Sequence, residues 1–539
     1  MIAVNQRWHE DRGLVLSESR PPLPGTGPQT IARMLEPMLQ NRPDAPALVG
    51  RHGRYTYREL DAAVTRAAAA LDTLGLGSLD RVAACLPNDV DIVIAFLATQ
   101  RLGLVWVGIN RALAPAEKTY ILRDSGARAY LVSCDLADEI LDSRSQTPDL
   151  ETIVKVDPES AACQWRELLE AAADRAVPEI DIDPFVASAI AYTSGTTGFP
   201  KGAVHSQHNM LLPGVVAAIR KNRPRPDYHG VVLPMTILNL IVLGPLCVLY
   251  DGRCVVAMDR IDALGVAEWV REERIGAFDG VPTIIHDLLT HPEVTQEDLK
   301  TLKEPGMGGA DCPPEVVRLF RERFGGEVII GYGMTEAPTA VTWTDGSVPP
   351  APGLCGLPIP QVEIEILDEN ETPLPADEIG EICVRPNRTG EFAGVYTPML
   401  GYWGQPEASA KALISGRYHT GDLGLLKADG NLYIRGRRNE LILRGGANIY
   451  PAEIERVLGL HPDIEAVAVL GIPDERLGER VAVAVQTKPG TRLDEAELKR
   501  YVGSELARYK VPELVRFVEE MPRNAMNKIV KPRLRSLFD

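Results

Sequence analysis

The sequence predicts an α/β protein with a large N-terminal domain of several α/β layers and a small α+β domain at its C-terminus. Three observations predict this. Apolar runs of strand length alternate with amphipathic helical runs through the first part of the chain. A charged turn at Gly436–Glu440 (GRRNE) interrupts that pattern between the strand-like LYIRG and LILRGG. Beyond it, a helical run at Ala452–Leu458 precedes alternating strand patterns at Ala466–Leu470 and Val481–Gln486.

Size and composition agree with more than one core. The chain has 539 residues, 45% hydrophobic and 24% charged, whereas single domains usually hold roughly 100–200 residues. Its formal net charge of -17 gives no general attraction to phosphate polymers or anionic lipid, so nucleic acid is not an expected partner. The eight cysteines, from Cys85 to Cys383, form no C-x-x-C pair and lie beside no His-x-x-x-His. They read as free thiols of a reducing cytoplasm, with neither a zinc site nor a disulfide framework.

Taken in chain order, MIAVNQRWHEDRG carries charges where an export signal needs an apolar run. Residues up to about Pro28, with PPLPGTGP, read as an aperiodic strap over the first domain. Arg81–Leu86 reads as a buried strand, Asp91–Leu102 as an amphipathic helix and Ala129–Ser133 as a second strand of a largely parallel sheet. Gly230–Tyr250 is uncharged and near the roughly 20 residues that cross a bilayer. Its Pro234, Pro245, Thr236 and Asn239 favour instead a buried strand and helix, so no membrane span is expected.

The strongest local signal is AIAYTSGTTGFPKGAVHSQHN. A strand-like run, Ala189–Tyr192, feeds a loop containing Thr193, Ser194, Gly195, Thr196, Thr197, Gly198 and Lys201. Glycines let backbone N–H groups close around phosphate oxygens, the hydroxyls add donors and the lysine adds charge. The loop is not a Walker motif, because Pro200 precedes the lysine and Gly202 follows it, nor does it have dinucleotide-fold spacing. Further along, Glu336 follows Thr335 at the end of the strand-like VIIGYGMT and supplies the hard oxygen that Mg²⁺ needs beside phosphates. Asp422 is a turn acid that can accept both hydroxyls of a ribose.

These motifs resemble those of the acyl-adenylate-forming enzymes, in the acyl-CoA synthetase branch. The resemblance covers nearly the whole chain, in the family's order: Thr193–Gly202, GGA at Gly308–Ala310, YGMTE at Tyr332–Glu336, YHTGDLG at Tyr418–Gly424, GRRNE, RGGANIYPAEIE at Arg444–Glu455 and PRNAMNKIVK at Pro522–Lys531. It implies an AMP-forming acid–CoA ligase using ATP, Mg²⁺ and CoA, which releases pyrophosphate and then passes the acyl group to CoA. It further implies that Thr335 touches phosphate, Glu336 binds the metal, and Tyr332 with Gly333 meets adenine beside the Gly308, Gly309 and Ala310 backbone. Asp422 would take the ribose, Arg437 ribose or phosphate, and Lys528 the charge of the adenylation step. A C-terminal domain, 441–539, would rotate about a hinge at 437–440, centred on Asn439, against an N-terminal domain, 1–436. The rotation would open a pantetheine tunnel lined by Gly445 and Gly446. Lys531 and the nearby arginines read as solvated charges.

The chain departs from the family pattern in places. Asn527 replaces the glycine before the lysine, but Asn tolerates positive φ. Asn439 and Glu440 stand where Asp or Lys, and Asp, are usual. In LPMTILNL, Leu233–Leu240, Thr236 and Ile237 replace an aromatic residue and a gating His. With no acid between Gly230 and Tyr250 to pair an ammonium, the pocket reads as apolar, lined by residues such as Ile237, Leu238, Val281, Gly308, Thr339 and Ala340. A carrier-protein thiol in place of CoA, a variant specialised for one half-reaction with a partner enzyme, and a silent nucleotide-binding module stay open as alternatives.

Overall fold

The computed structural model describes residues 2–16, 19–141, 143–160, 163–193, 200–219, 225–308, 312–444, 447–474, 476–524 and 528–538. The chain forms two compact units, one of residues 1–364 and 384–419, the other of 365–383 and 420–539.

The first unit holds two sheets. In one, Pro46–Gly50, Cys254–Ala257, Tyr228–Val231, Ala277–Gly280, Glu304–Gly308 and Ile329–Met334 lie side by side in parallel. Helices such as Ala263–Glu273, Pro282–Thr290 and Pro314–Phe324 follow individual strands and cover this sheet with Trp269, Ile285 and Phe320. Parallel neighbours require such crossovers, and burial on both faces explains continuous apolar strands like CVVA. After Ile329–Met334 the sheet turns antiparallel through Thr339–Trp343 and Leu354–Pro358.

The second sheet carries the expected strands Arg81–Cys85 and Ala129–Ser133 in parallel with Val105–Gly108 and Thr152–Val156. The expected helix between them spans Val90–Arg101 but is not amphipathic, because every residue from Val90 to Gln100 is buried between the layers. Ala187–Thr193 also joins in parallel, then pairs antiparallel with Lys201–Ser206. The stretch 230–250 is divided among the end of a strand, the short helices Leu238–Ile241 and Cys247–Tyr250, and a widened turn at Val242–Leu246 containing Pro245. Among the described residues no helix is long and apolar enough to cross a membrane.

The N-terminal lead-in corrects the sequence reading, because Ile2–Glu10 is a helix and not an aperiodic strap. Trp8 packs beside Trp403 with ring centres 5.5 Å apart and planes tilted by 57°, Arg12 lies over the Trp8 ring, and buried His9 accepts the Ala187 N–H through Nε2 at 2.9 Å. Those three anchors were invisible because a nine-residue helix holds its shape through tertiary contacts, not through propensity.

In the second unit, Ile464–Asp474 and Gly478–Thr487 form a long hairpin flanked by Ile442–Arg444, Ala447–Ile449 and the parallel strand Leu514–Phe517. The helices Pro451–Gly459 and Glu495–Glu505 pack Ile454, Leu458, Leu498 and Val502 against Val469, Val481 and Val483. All eight cysteines are free thiols.

Candidate active site

Parallel strands aim their carboxyl ends to one side, and in open α/β sheets ligands bind there. Four such ends carry site residues in this chain. Tyr228–Val231 leads to Ile237 and Leu238, Ala277–Gly280 to Val281, Glu304–Gly308 ends on Gly308, and Ile329–Met334 contains Tyr332 and Gly333. Gly308 stands opposite Gly331 in register, and a Cβ there would come within 3.0 Å of the Gly331 carbonyl oxygen. A side chain there would push the Gly331 backbone aside by a few tenths of an ångström. Tyr332 is buried, and the register shifts between it and Gly333, which pairs with Ala340. Val281 and Ile237 are half-buried, whereas Leu238 is packed inside. Gly309, Ala310 and the Thr339 side chain lie outside the described residues.

Past Met334 the chain makes a turn through Thr335 and Glu336, closed by a bridge between Met334 and Ala337. Each of three consecutive residues is held by a different element. Asn239 Nδ2 donates to the Met334 carbonyl at 3.0 Å, His205 Nε2 lies 2.8 Å from the Thr335 carbonyl, and Tyr402 OH donates to Glu336 Oε1 at 2.8 Å. Burial lowers the His205 imidazole to about 4, so near neutral pH it is uncharged and Nε2–H is the donor. Tyr402 is raised above the ordinary tyrosine range, first by burial and then by the Glu336 charge, and so remains a donor. Among the described residues, Glu336 Oε2 has no hydrogen-bond partner.

The two residues that flank the candidate phosphate loop, Thr193 and Lys201, are described. Thr193 and Lys201 face each other across the antiparallel pair at its base, with Thr193 Oγ1 3.4 Å from the Lys201 carbonyl oxygen. Lys201 Nζ sits 5.3 Å above the Tyr402 ring. Tyr402 therefore touches both the loop lysine and the Glu336 carboxylate. Ser194, Gly195, Thr196, Thr197 and Gly198 lie outside the described residues.

The second unit carries the remaining candidates. Asp422 and Arg437 are register partners on antiparallel strands, and Arg437 Nε lies 3.3 Å from Asp422 Oδ1. Asp422 follows Gly421, whose φ of +72° turns the chain. Lys528 is exposed as a residue, although its amine end is drawn in among its neighbours and partly desolvated. Its amine is held below the ordinary lysine value by desolvation and the Arg437 charge, opposed by Asp422. Its backbone N–H is tied to Asn524 Oδ1 at 2.9 Å. Asn439 is exposed within the short helical turn Arg438–Glu440. Gly445, Gly446 and Asn527 lie outside the described residues.

Lys531 corrects the sequence reading. It is not a solvated charge: its Nζ bridges Glu440 at 2.5 Å and Glu455 at 2.9 Å. Burial works to depress its pKa, yet the two carboxylates hold it above the ordinary value. His205, Tyr402 and Lys531 escaped sequence reasoning as site residues, and Asn239 was read only as part of the candidate pocket lining Met235–Leu240. Only the repeated polar residues in HSQHN and the tyrosine of GYWG could have pointed to them.

The profile of the AMP-binding enzyme family matches residues 35–403, and that of the AMP-binding enzyme C-terminal domain matches 453–528. The chain belongs to the AMP-binding enzyme family. Within that family it falls in the acyl-CoA synthetase branch of acyl-adenylate-forming enzymes, as an AMP-forming synthetase that joins a carboxylic acid to CoA through an acyl-adenylate. A relative from Mycobacterium tuberculosis, "3-[(3aS,4S,7aS)-7a-methyl-1,5-dioxo-octahydro-1H-inden-4-yl]propanoyl:CoA ligase", is 33% identical, with 94% of this chain and 99% of that one covered. Feruloyl-CoA synthase of an Amycolatopsis species is 32% identical, covering 93% and 98%. Among solved structures, ATP-bound MatB from Rhodopseudomonas palustris superposes with a TM-score of 0.84 at 28% identity, covering 94% and 99%. The anthranilate CoA ligase AuaEII with anthranoyl-AMP superposes with a TM-score of 0.84 at 25% identity, covering 94% and 97%.

Proposed function

We propose that this AMP-binding enzyme activates a hydrophobic carboxylic acid, whether aromatic, alicyclic or fatty. The observation that carries this reading is the segment Leu233–Leu240 beyond a parallel strand end. It is apolar and acid-free, and its Asn239 amide is committed to the Met334 carbonyl. An amino-acid substrate would need a carboxylate for its ammonium, and the segment offers none. The ring-bearing acids in the names of the indenyl-propanoyl ligase and the feruloyl synthase agree with this class.

The residue roles follow from charge and geometry. Thr193 to Gly198 and Lys201 take the phosphates, Tyr332 and Gly333 with Gly308, Gly309 and Ala310 take the adenine, and Asp422 with Arg437 takes the ribose. Glu336 is a carboxylate with one oxygen unspent among the described residues, which suits Mg²⁺, a hard cation usually held by one or two carboxylates and substrate phosphates. When bound, Mg²⁺ neutralises charge on the phosphates. Thr335 steadies the phosphate beside it. Carboxylate attack on the α-phosphate brings like charges together, and Lys528 supplies the opposing charge. Turning of residues 441–539 about Asn439 then withdraws Lys528 and brings Gly445 and Gly446 to the thioester step. A cytoplasmic location accords with the free thiols.

Incubation with ATP, Mg²⁺, CoA and a panel of acids tests the substrate class. Acyl-CoA, AMP and pyrophosphate should form with the highest kcat/KM on uncharged aromatic, alicyclic or fatty acids. A preference for amino acids or dicarboxylates would refute the reading.

A further inference from the structure

We propose that His205 and Asn239 are positioning residues that set the Thr335–Glu336 turn for Mg²⁺·ATP by capturing two successive backbone carbonyls behind it; this rests on Glu336 being the metal residue. The two come from separate elements, His205 from the strand Lys201–Ser206 and Asn239 from the short helix Leu238–Ile241. They meet the carbonyls of Thr335 and Met334 at 2.8 and 3.0 Å.

A turn of this kind has two soft peptide orientations. Rotating either peptide here would strip a buried donor of its acceptor, which is costly where water cannot substitute. His205 has no solvent exposure. Its other ring nitrogen lies 3.2 Å from Asn209 Oδ1, while the Asn209 amide donates to the Thr397 carbonyl and its backbone N–H reaches Ser206 Oγ at 3.1 Å. With Nε2–H given to the Thr335 carbonyl, the neutral ring has no second N–H for the Asn209 oxygen, so its orientation is set by that one hydrogen bond and by close burial. Tyr402 completes the frame by holding one oxygen of Glu336 itself.

Buried contacts behind a metal residue usually change metal affinity or activity by roughly 10- to 100-fold when removed. Neither residue needs to touch the nucleotide to have that effect. The same strand that begins with the loop lysine Lys201 carries His205 four positions later, so the phosphate loop and the metal turn are set by one rigid element. Asn239 likewise ties the acid-pocket segment to the turn, placing the acid and the metal turn in a common register.

The test uses the full-length enzyme and the variants His205→Leu, His205→Gln, Asn239→Leu and Glu336→Gln. Two quantities are measured: ATP affinity by calorimetry with and without Mg²⁺, and the Mg²⁺ concentration giving half-maximal pyrophosphate exchange. His205→Leu should raise the half-activating Mg²⁺ concentration roughly tenfold and erase most of the Mg²⁺-dependent gain in ATP affinity. The KM for the acid should stay within about twofold, a split that general loosening of the fold would not produce. His205→Gln retains an N–H donor and should recover most of the loss. Asn239→Leu should act in the same direction.

Wild-type Mg²⁺ dependence in His205→Leu and Asn239→Leu, with Glu336→Gln defective, would overturn this inference and leave the Glu336 role standing. Wild-type Mg²⁺ dependence in Glu336→Gln would overturn the role and the inference together. Should His205→Leu fail to fold, the same criterion applies to Asn239→Leu alone.

Discussion

The Thr335–Glu336 turn and the Lys528 segment, to which we assign parts of the same proposed reaction, are built differently. Around Glu336 the protein places part-buried, directional hydrogen bonds from three elements on three consecutive residues. Around Lys528, an exposed residue, the protein offers a single side-chain tie at Asn524 and the opposing fields of Arg437 and Asp422. The first arrangement pre-organises a site, which is where electrostatic catalysis gains most. The second tolerates displacement, because an exposed residue with one side-chain tie gives up few contacts on leaving. The contrast fits a reaction in which phosphates and metal stay in place while one lysine is needed for only half of the cycle.

The comparison can be broken most forcefully at Glu336. Replacing it with Gln keeps the Tyr402 contact but removes the charge, and pyrophosphate exchange should fall roughly 100-fold or more, about 3 kcal/mol. Exchange within threefold of wild type would show that the turn is not the metal site.

A second test uses pH. His205 is neutral in the folded protein, with its pKa lowered to about 4, against about 6.5 for an unfolded histidine. The unfolded chain therefore binds the extra proton first as pH falls. Stability from this group is complete above about pH 6.5 and is lost toward pH 4, by up to about 3 kcal/mol. His208 is lowered by burial in the same sense. Urea melts at pH 7.5 and 4.5 should diverge less in His205→Gln than in wild type, and equal divergence would contradict the buried, neutral assignment.

Tyr402→Phe sharpens the contrast more gently. It removes one hydrogen bond to a carboxylate, worth about 1.5 kcal/mol, so exchange should fall roughly tenfold with little change in thermal stability. The smallest effect is expected at Lys531→Met. It leaves Glu440 and Glu455 without their shared cation at a partly exposed site, and about 1 kcal/mol should be lost after solvent screening. Chemical denaturation monitored on the second unit would register it, and an unchanged midpoint would mark the bridge as energetically idle.

Much of this was legible in the sequence. The parallel strands around Arg81, the Val90–Arg101 helix and the small C-terminal hairpin follow from periodicity, since their apolar positions repeat at strand or helix spacing. Thr193, Glu336, Asp422 and Lys528 could be singled out as candidates because motifs keep their order along the chain. What was not legible depends on contacts between distant segments. His205 and Thr335 are 130 residues apart, and Tyr402 and Glu336 are 66 apart. Such pairs leave no trace in local pattern, because a buried His on a strand looks like any interruption of an apolar run. Lys531 was misread for a related reason, since its partners Glu440 and Glu455 are brought to it only by the folded second unit.

The most direct test of the division between a fixed turn and a displaceable lysine is to measure both half-reactions of Lys528→Ala. Pyrophosphate exchange should drop at least about 100-fold, while thioester formation from supplied acyl-adenylate and CoA stays within about threefold of wild type. An equal loss in both half-reactions would contradict the account.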